Sequence, residues 1–191
     1  MDRLASLASA NEHKLRELQH SLAGWELELL AAEGFPPEEG ESYYDNARAK
    51  ALFGRRLADP DRWVLGEDSG LEIEGLGGGP GVRSARWAAG EEVERALAEL
   101  SGVEGEGRRA RYVCELVAIS PEGHEVRGTG ILEGRIAQAP RGSEGFGFDP
   151  VFVPDGQERT VAELGDEWKA KNSHRARAAG ALLDALTDSG I

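Results

Sequence analysis

The segment from Arg109 to Ser120 limits the architecture more than any other. Tyr112, Cys114, Leu116 and Ala118 fall on one face of an extended chain and Val113, Val117 and Ile119 on the other. A strand that is apolar on both sides belongs in the middle of a sheet, covered above and below. Pro121-Glu122-Gly123-His124 reads as a turn, and Glu125 to Ile136 as a second long strand, so the pair predicts a hairpin. His124 then occupies a surface turn.

Around this hairpin the chain alternates strands and helices. Arg3 to Ala8 reads as a short strand and Ser9-Ala10-Asn11 as a turn. Leu15, Leu18 and Leu22 recur at helical spacing from about Asn11 or Glu12. Trp25 to Leu29 alternates as a strand with one wet face, and 32–40, with Pro36 and Pro37, is a loop carrying Glu38 and Glu39. Ser42 and Asp45 have capping-box spacing for a helix running to about Leu57, on which Asn46 and Lys50 share a face. Val64 to Gly70 is an apolar run ending in Glu67, Asp68 and Ser69, and Leu71-Glu72-Ile73 is a second strand-like piece. Val93, Ala96, Leu97 and Leu100 mark a further helix. Residues 141–150 form a glycine-rich loop before Val151-Phe152-Val153. Thr160 to Glu163 is a capping box, and the last helix follows Ser173-His174-Arg175 with Ala179, Leu182, Leu183 and Leu186 inward.

Charge excludes some functions. A formal net charge of −13 over 191 residues is unsuited to a general nucleic-acid binder, which needs a basic face, but does not oppose a small phosphorylated substrate met by a few local cations. Only four of the 22 basic residues are lysine: Lys14, Lys50, Lys169 and Lys171. A chain that otherwise uses arginine has a reason to keep lysine where a compact ammonium meets a phosphate; solvated helix faces are the plain alternative. No apolar run approaches the roughly 20 residues of a membrane helix, no stretch near residue 1 has a signal-peptide core, and the single cysteine, Cys114, permits no internal disulfide. A cytoplasmic protein with no membrane partner is expected, with Cys114 as a small core residue.

Four places carry chemistry. A strand, a small polar turn and a helix start at Ser9 to Lys14 offer backbone N–H groups to an anion, or form an ordinary asparagine cap. Glu67 and Asp68, at what reads as a strand end, can hold a hard cation through oxygen. Phe146, between glycines, either presents a ring for stacking on a base or anchors its loop on the core. Ser173-His174-Arg175 sets a hydroxyl, an imidazole and a guanidinium at a helix start, suited to an anion or a purine edge.

These blocks occur in an order that resembles the inosine/xanthosine triphosphate pyrophosphatases, enzymes that hydrolyse non-standard purine nucleoside triphosphates. Ser9 to Lys14, Ser42 to Ala51, Glu67 to Trp87, and Gly145 to Phe152 with Ser173-His174-Arg175 carry the match over nearly the whole length. The departures are Glu67 where Asp is usual, Ala10 for Gly and Phe148 for Tyr. The acidic loop, Pro-Glu-Glu-Gly-Glu, leaves Glu38 or Glu39 as its metal-associated carboxylate; counting back from Asn46 prefers Glu38, with Glu41 a weaker third.

The resemblance implies a single α/β domain over 1–191: an elongated mixed twisted sheet with flanking helices, in two lobes around a central substrate cleft. It implies Mg2+-dependent hydrolysis of dITP, ITP or XTP to the monophosphate and pyrophosphate, by a homodimer. Asp68 would be proton acceptor and metal ligand, with Glu38 or Glu39 on the metal and Glu67 a helper to the base. Ser9, Ala10, Asn11, Glu12, His13, Lys14, Lys50 and Ser69 would meet the substrate around its phosphates. Phe146, Gly147, Phe148, Asp149, Lys169, His174 and Arg175 would meet its base or sugar; Lys171 has no counterpart. The rival readings are a pyrophosphatase for modified pyrimidine nucleotides on a similar fold, and a non-catalytic nucleotide sensor.

Overall fold

The computed structural model describes residues 3–190. Among them are seven strands and seven α-helices, in the order β1 (Arg3–Leu7), α1 (Glu12–Ser21), β2 (Trp25–Leu29), α2 (Tyr43–Arg55), β3 (Trp63–Ile73), β4 (Pro80–Gly81), α3 (Ser84–Ala88), α4 (Glu92–Glu99), β5 (Arg109–Ile119), β6 (Glu125–Ile136), β7 (Phe152–Pro154), α5 (Val161–Leu164), α6 (Asp166–Asn172) and α7 (His174–Ser189). The strands form one mixed sheet in the order β2-β1-β3-β5-β6-β7, with β4 paired to β3. The segment apolar on both faces is β5, with β3 and β6 as its neighbours. No helix among the described residues is long and apolar enough to cross a membrane.

Contacts divide the chain into two units. One comprises 1–68, 114–130 and 174–191, the other 69–113 and 131–173. In the first, β1 pairs in parallel with both β2 and β3, Leu7 standing opposite Leu29 and Leu65. Leu18 of α1 and Leu22 just after it, Leu65 of β3, Cys114, Leu116 and Ala118 of β5, and Ala178, Leu182 and Leu186 of α7 share one core cluster. Ala47 and Ala51 of α2 pack with Val117 and Ile119 on the other face of β5. The period of two in β5 thus sorts its side chains between two sets of helices, as expected from the sequence. Helix α2 comes very close to β3 at Gly66, where an added Cβ would lie 2.0 Å from the carbonyl oxygen of Ala47 and 2.6 Å from the amide nitrogen of Ala51. Only glycine lets α2 lie directly on β3.

In the second unit β4 returns antiparallel on β3, Leu71 opposite Gly81, and β7 returns on β6, Ile136 opposite Phe152. Its core gathers Leu71, Ile73, Leu100, Tyr112, Leu132, Phe148, Phe152 and Val161. Ser84 Oγ donates to the carbonyl of Gly81 at 2.6 Å and accepts from the amide of Leu71 at 2.9 Å, pinning the glycine-rich loop to its strand. The buried guanidinium of Arg108 donates to the carbonyls of Leu100, Val103, Ile136 and Ala137, so its charge is met by carbonyl dipoles.

The structure alters three sequence readings. β3 runs unbroken through Glu67-Asp68-Ser69-Gly70, so the two carboxylates stand in mid-strand rather than at a strand end. Ser84 to Ala88, for which the sequence pattern predicts no element, forms a short helix. Asp166 to Asn172 forms a separate helix before α7. The caps were legible: Asn11 caps α1, Ser42 caps α2, and Thr160 with Glu163 completes a reciprocal capping box.

Candidate active site

Because Glu67 and Asp68 are consecutive on a strand, their side chains leave opposite faces and enter two different environments within the first unit. Glu67 points among α1, α7 and β5. Lys14 Nζ lies 2.6 Å from its Oε2, though too obliquely for a well-formed hydrogen bond. Arg175 Nε donates to Oε1 at 3.0 Å, and Cys114 Sγ lies 3.6 Å from the same oxygen. Arg175 Nη1 also donates to Glu17 Oε2 at 2.9 Å. Burial works against the Glu67 charge, but Lys14, Arg175 and Lys50 outweigh it and hold its carboxyl far below the usual carboxylate range. Burial, then the charge of Glu67, pushes the Cys114 thiol well up, so Cys114 is an inert core residue.

Asp68 points toward α2. Asn46 Nδ2 donates to its Oδ2 at 3.0 Å and Lys50 Nζ to its Oδ1 at 3.1 Å. The same ammonium donates to the backbone carbonyl of Glu67 at 3.0 Å and forms a short ion pair with Glu38. Burial raises the Asp68 carboxyl above its ordinary value, with Glu67 and Glu38 adding to the rise and Lys50 and Asn46 opposing it. Burial also opposes the Glu38 charge, yet Lys50 holds that carboxyl below its ordinary value. Lys50 is raised because Asp68, Glu67 and Glu38 outweigh its desolvation. The two carboxylates on adjacent residues are therefore driven apart: Glu67 is locked ionised, while Asp68 is pushed toward holding a proton.

Of the acidic-loop candidates, Glu38 alone is brought to Lys50 and Asp68; Glu39 and Glu41 are exposed. Asp68 and Glu38 converging on one ammonium form an oxygen donor set of the kind a hard divalent cation takes. Among the described residues no cluster of three or more His, Cys, Asp or Glu side chains suited to a metal is present, so such an ion would complete its shell with water and substrate oxygen. With Glu17 and Glu67, the centre has four carboxylates against the three cations Lys14, Lys50 and Arg175. A bound dication would make its formal charge positive, which suits an anionic ligand.

Ser9 and Asn11 shape the start of α1. Asn11 Oδ1 accepts from the amides of His13 and Lys14, and Ser9 Oγ from that of Asn11. Two first-turn donors therefore serve the cap. Ala10, Glu12 and His13 are exposed there, and Ser69 is half-buried on β3. His174 is buried at the start of α7 beside Arg175, whose guanidinium is committed to Glu67 and Glu17.

The second unit holds residues 146–149 and Lys169, which the family resemblance places against a base or sugar. Asp149 is buried, and its Oδ2 accepts from the Phe146 amide at 2.8 Å and from Lys169 Nζ at 2.5 Å. Tyr112 OH lies 3.4 Å from Oδ1. The Lys169 ammonium stands 4.2 Å from the centroid of the half-buried Phe146 ring, a cation–π contact on one face. Phe148 is buried against Trp87 with ring centroids 6.3 Å apart, and so belongs to the core. Gly147, at φ +64, makes the tight turn between the two aromatics. A separate cavity of about 690 Å³, lined by Glu72, Glu106, Arg109 and Arg111 among others, includes none of these residues.

Sequence reasoning missed Asn46, Glu17 and Tyr112 as members of these networks. Two were signalled by spacing alone: Asn46 lies one turn before Lys50, and Glu17 lies three residues after Lys14 on the same helix.

The chain matches the model of the Ham1 family over residues 5–185. It is 43% identical over 187 residues to a dITP/XTP pyrophosphatase of Symbiobacterium thermophilum, covering 94% of this chain and 93% of the relative. A dITP/XTP pyrophosphatase of Thermus thermophilus is 43% identical over 191 residues, covering 95% and 91%. A crystal structure of a nucleoside-triphosphatase, dITP/XTP pyrophosphatase, from Mycobacterium abscessus superposes with a TM-score of 0.72 at 40% identity, covering 96% of this chain and 99% of the other.

Proposed function

Because the chain belongs to the Ham1 family, we propose that it hydrolyses the non-standard purine nucleoside triphosphates dITP, ITP and XTP to the monophosphate and pyrophosphate. The observation that carries the chemistry is the divergence of Glu67 and Asp68: neighbouring carboxylates on opposite faces of β3, Glu67 paired with Lys14 and Arg175 and held low, Asp68 bound by Asn46 and Lys50 and raised by burial.

Asp68 is the proton acceptor in this reading. A buried carboxyl raised above its ordinary value is nearer the working pH, the direction a general base needs. It takes a proton from the attacking water as the new P–O bond forms, and the bonding pair of the broken P–O bond leaves on pyrophosphate. Lys50 and Lys14 stabilise the charge that develops on phosphate oxygens. Glu67, paired with Lys14 and Arg175, is a poor base; its part is to hold those cations in place. Mg2+, held by Asp68 and Glu38, would neutralise part of the triphosphate charge and polarise its phosphoryl oxygens.

For the base, Lys169 covers one face of Phe146 and Asp149 fixes the loop, which favours stacking on the ring's other face. With Arg175 held by Glu67 and Glu17, His174 is the donor we assign to the six-position oxygen that distinguishes hypoxanthine and xanthine from adenine, whose amine would leave a donor there unpaired. Homodimeric assembly and a cytoplasmic setting are proposed on the family resemblance, and light scattering tests the first. Ion-exchange analysis of the products from ITP, with Mg2+ and with EDTA, tests the reaction. Inosine monophosphate and pyrophosphate, formed only with Mg2+, are expected. Orthophosphate as the initial product overturns the reaction, and no turnover favours a sensor.

A further inference from the structure

We propose that Asn46 is a positioning residue of the carboxylate centre, its amide fixing the rotamer of Asp68 and tying the loop that carries Glu38 to it. The inference rests on the reading of Asp68 as base and cation ligand given above. Asn46 is 3% exposed on α2. Its Oδ1 accepts from the backbone amide of Gly40 at 2.8 Å, and its Nδ2 donates to Asp68 Oδ2 at 3.0 Å. A backbone N–H can only donate and an ionised carboxylate can only accept, so the side-chain amide has one workable orientation; flipped, it would lose both bonds. A Cβ on Gly40 would lie 2.6 Å from Asn46 Oδ1, so the loop is built to let this amide in.

Lys50, one turn further along α2, takes the other Asp68 oxygen and pairs with Glu38. Two residues on one helix face thus hold both oxygens of Asp68 and two points of the 38–40 loop. Gly66 sets the helix against the strand that bears Asp68. Rotation of the Asp68 carboxylate would break one of these bonds, so the lone pairs it offers to a cation or a water have fixed directions, the preorganisation a reacting group needs.

The test is a double-mutant cycle of Asn46→Ala with Asp68→Asn, read by Mn2+ affinity in electron paramagnetic resonance, with kcat and KM for ITP measured on Asn46→Ala alone. Loss of such a supporting contact commonly lowers metal affinity or activity about 10–100-fold. Asn46→Ala is expected to lower kcat by about that factor, to leave KM within about twofold, and to weaken Mn2+ binding. In the Asp68→Asn background the further loss should be clearly smaller, the remainder being carried by the loop that bears Glu38. Should Asn46→Ala fail to fold, Asn46→Leu, similar in shape, uncharged and unable to donate to Asp68, gives the same kcat-against-KM split. Equal Mn2+ losses in both backgrounds, a raised KM at unchanged kcat, or no effect on either quantity overturns the proposal. A wild type that turns over no nucleotide sinks the functional reading instead, and Mn2+ coupling then decides the role of Asn46 by itself.

Discussion

Replacing Asp68 with Asn separates catalysis from stability. The side chain is buried, and its carboxyl titrates higher in the folded than in the unfolded chain because burial, Glu67 and Glu38 outweigh Lys50 and Asn46. The ionised form therefore costs stability as pH rises through that interval. The amide removes this cost and the repulsion from Glu38. Against that, its NH2 group faces one of two donors, Asn46 Nδ2 or Lys50 Nζ, which sacrifices one charge-assisted hydrogen bond of about 1.5–3 kcal/mol. The opposing effects leave Tm within a few degrees of wild type or above it, the pattern of an active-site residue kept at the expense of stability. Catalysis has no such compensation. A positioned base contributes about 10²–10⁴ in rate, or about 2.7–5.4 kcal/mol, and kcat for pyrophosphate release from ITP should fall by that factor. Scanning calorimetry with a coupled pyrophosphate assay reads both. Retention of a tenth or more of kcat, or a fall in Tm of about ten degrees, refutes the reasoning.

Other substitutions follow from the same geometry. Glu67→Gln leaves Lys14 and Arg175 without their buried partner and should cost about 3–5 kcal/mol at pH 7. Glu67 titrates well below its unfolded value, so its stabilisation is complete above that value and lost as pH falls from about 5. The variant's Tm should therefore fall less steeply than the wild type's between about pH 5 and 3, and parallel curves would contradict the pairing. Phe146→Ala should raise KM for ITP about tenfold or more, since base stacking is worth about 1–3 kcal/mol; an unchanged KM counts against stacking. Gly66→Ala places a methyl 2.0 Å from a backbone oxygen and should destabilise by about 3 kcal/mol or more in urea titration; a neutral result would mean that α2 does not lie on β3 as described.

How much of this was legible in the sequence depended on whether the partners of a residue are local. β5 announced itself because seven of its side chains alternate between two apolar faces. The caps at Asn11, Ser42 and Thr160 were readable because donor and acceptor lie within three residues of each other. β3 was misread as two pieces because Glu67-Asp68-Ser69-Gly70 looks like a polar turn. It stays extended because Lys14 and Arg175 neutralise one face and Asn46 and Lys50 the other, and Arg175 lies 108 residues away in sequence. The residue types of the site could be named, but not who holds whom. Counting back from Asn46 prefers Glu38 over Glu39, and the fold gives the physical reason, since α2 brings Lys50 to Glu38 alone. Asp149 emerged as the anchor of the Phe146 loop only when its oxygens were seen to hold the Phe146 amide and Lys169.

The most direct measurement of the central claim is kcat/KM for pyrophosphate release from dITP, ITP and XTP against ATP and GTP, at one Mg2+ concentration. The account predicts efficient release from the first three, with ATP slower by a factor of about 10² or more, the penalty for leaving buried donors unpaired at the six position. Equal turnover of ATP and ITP, or preference for a modified pyrimidine triphosphate, would contradict it.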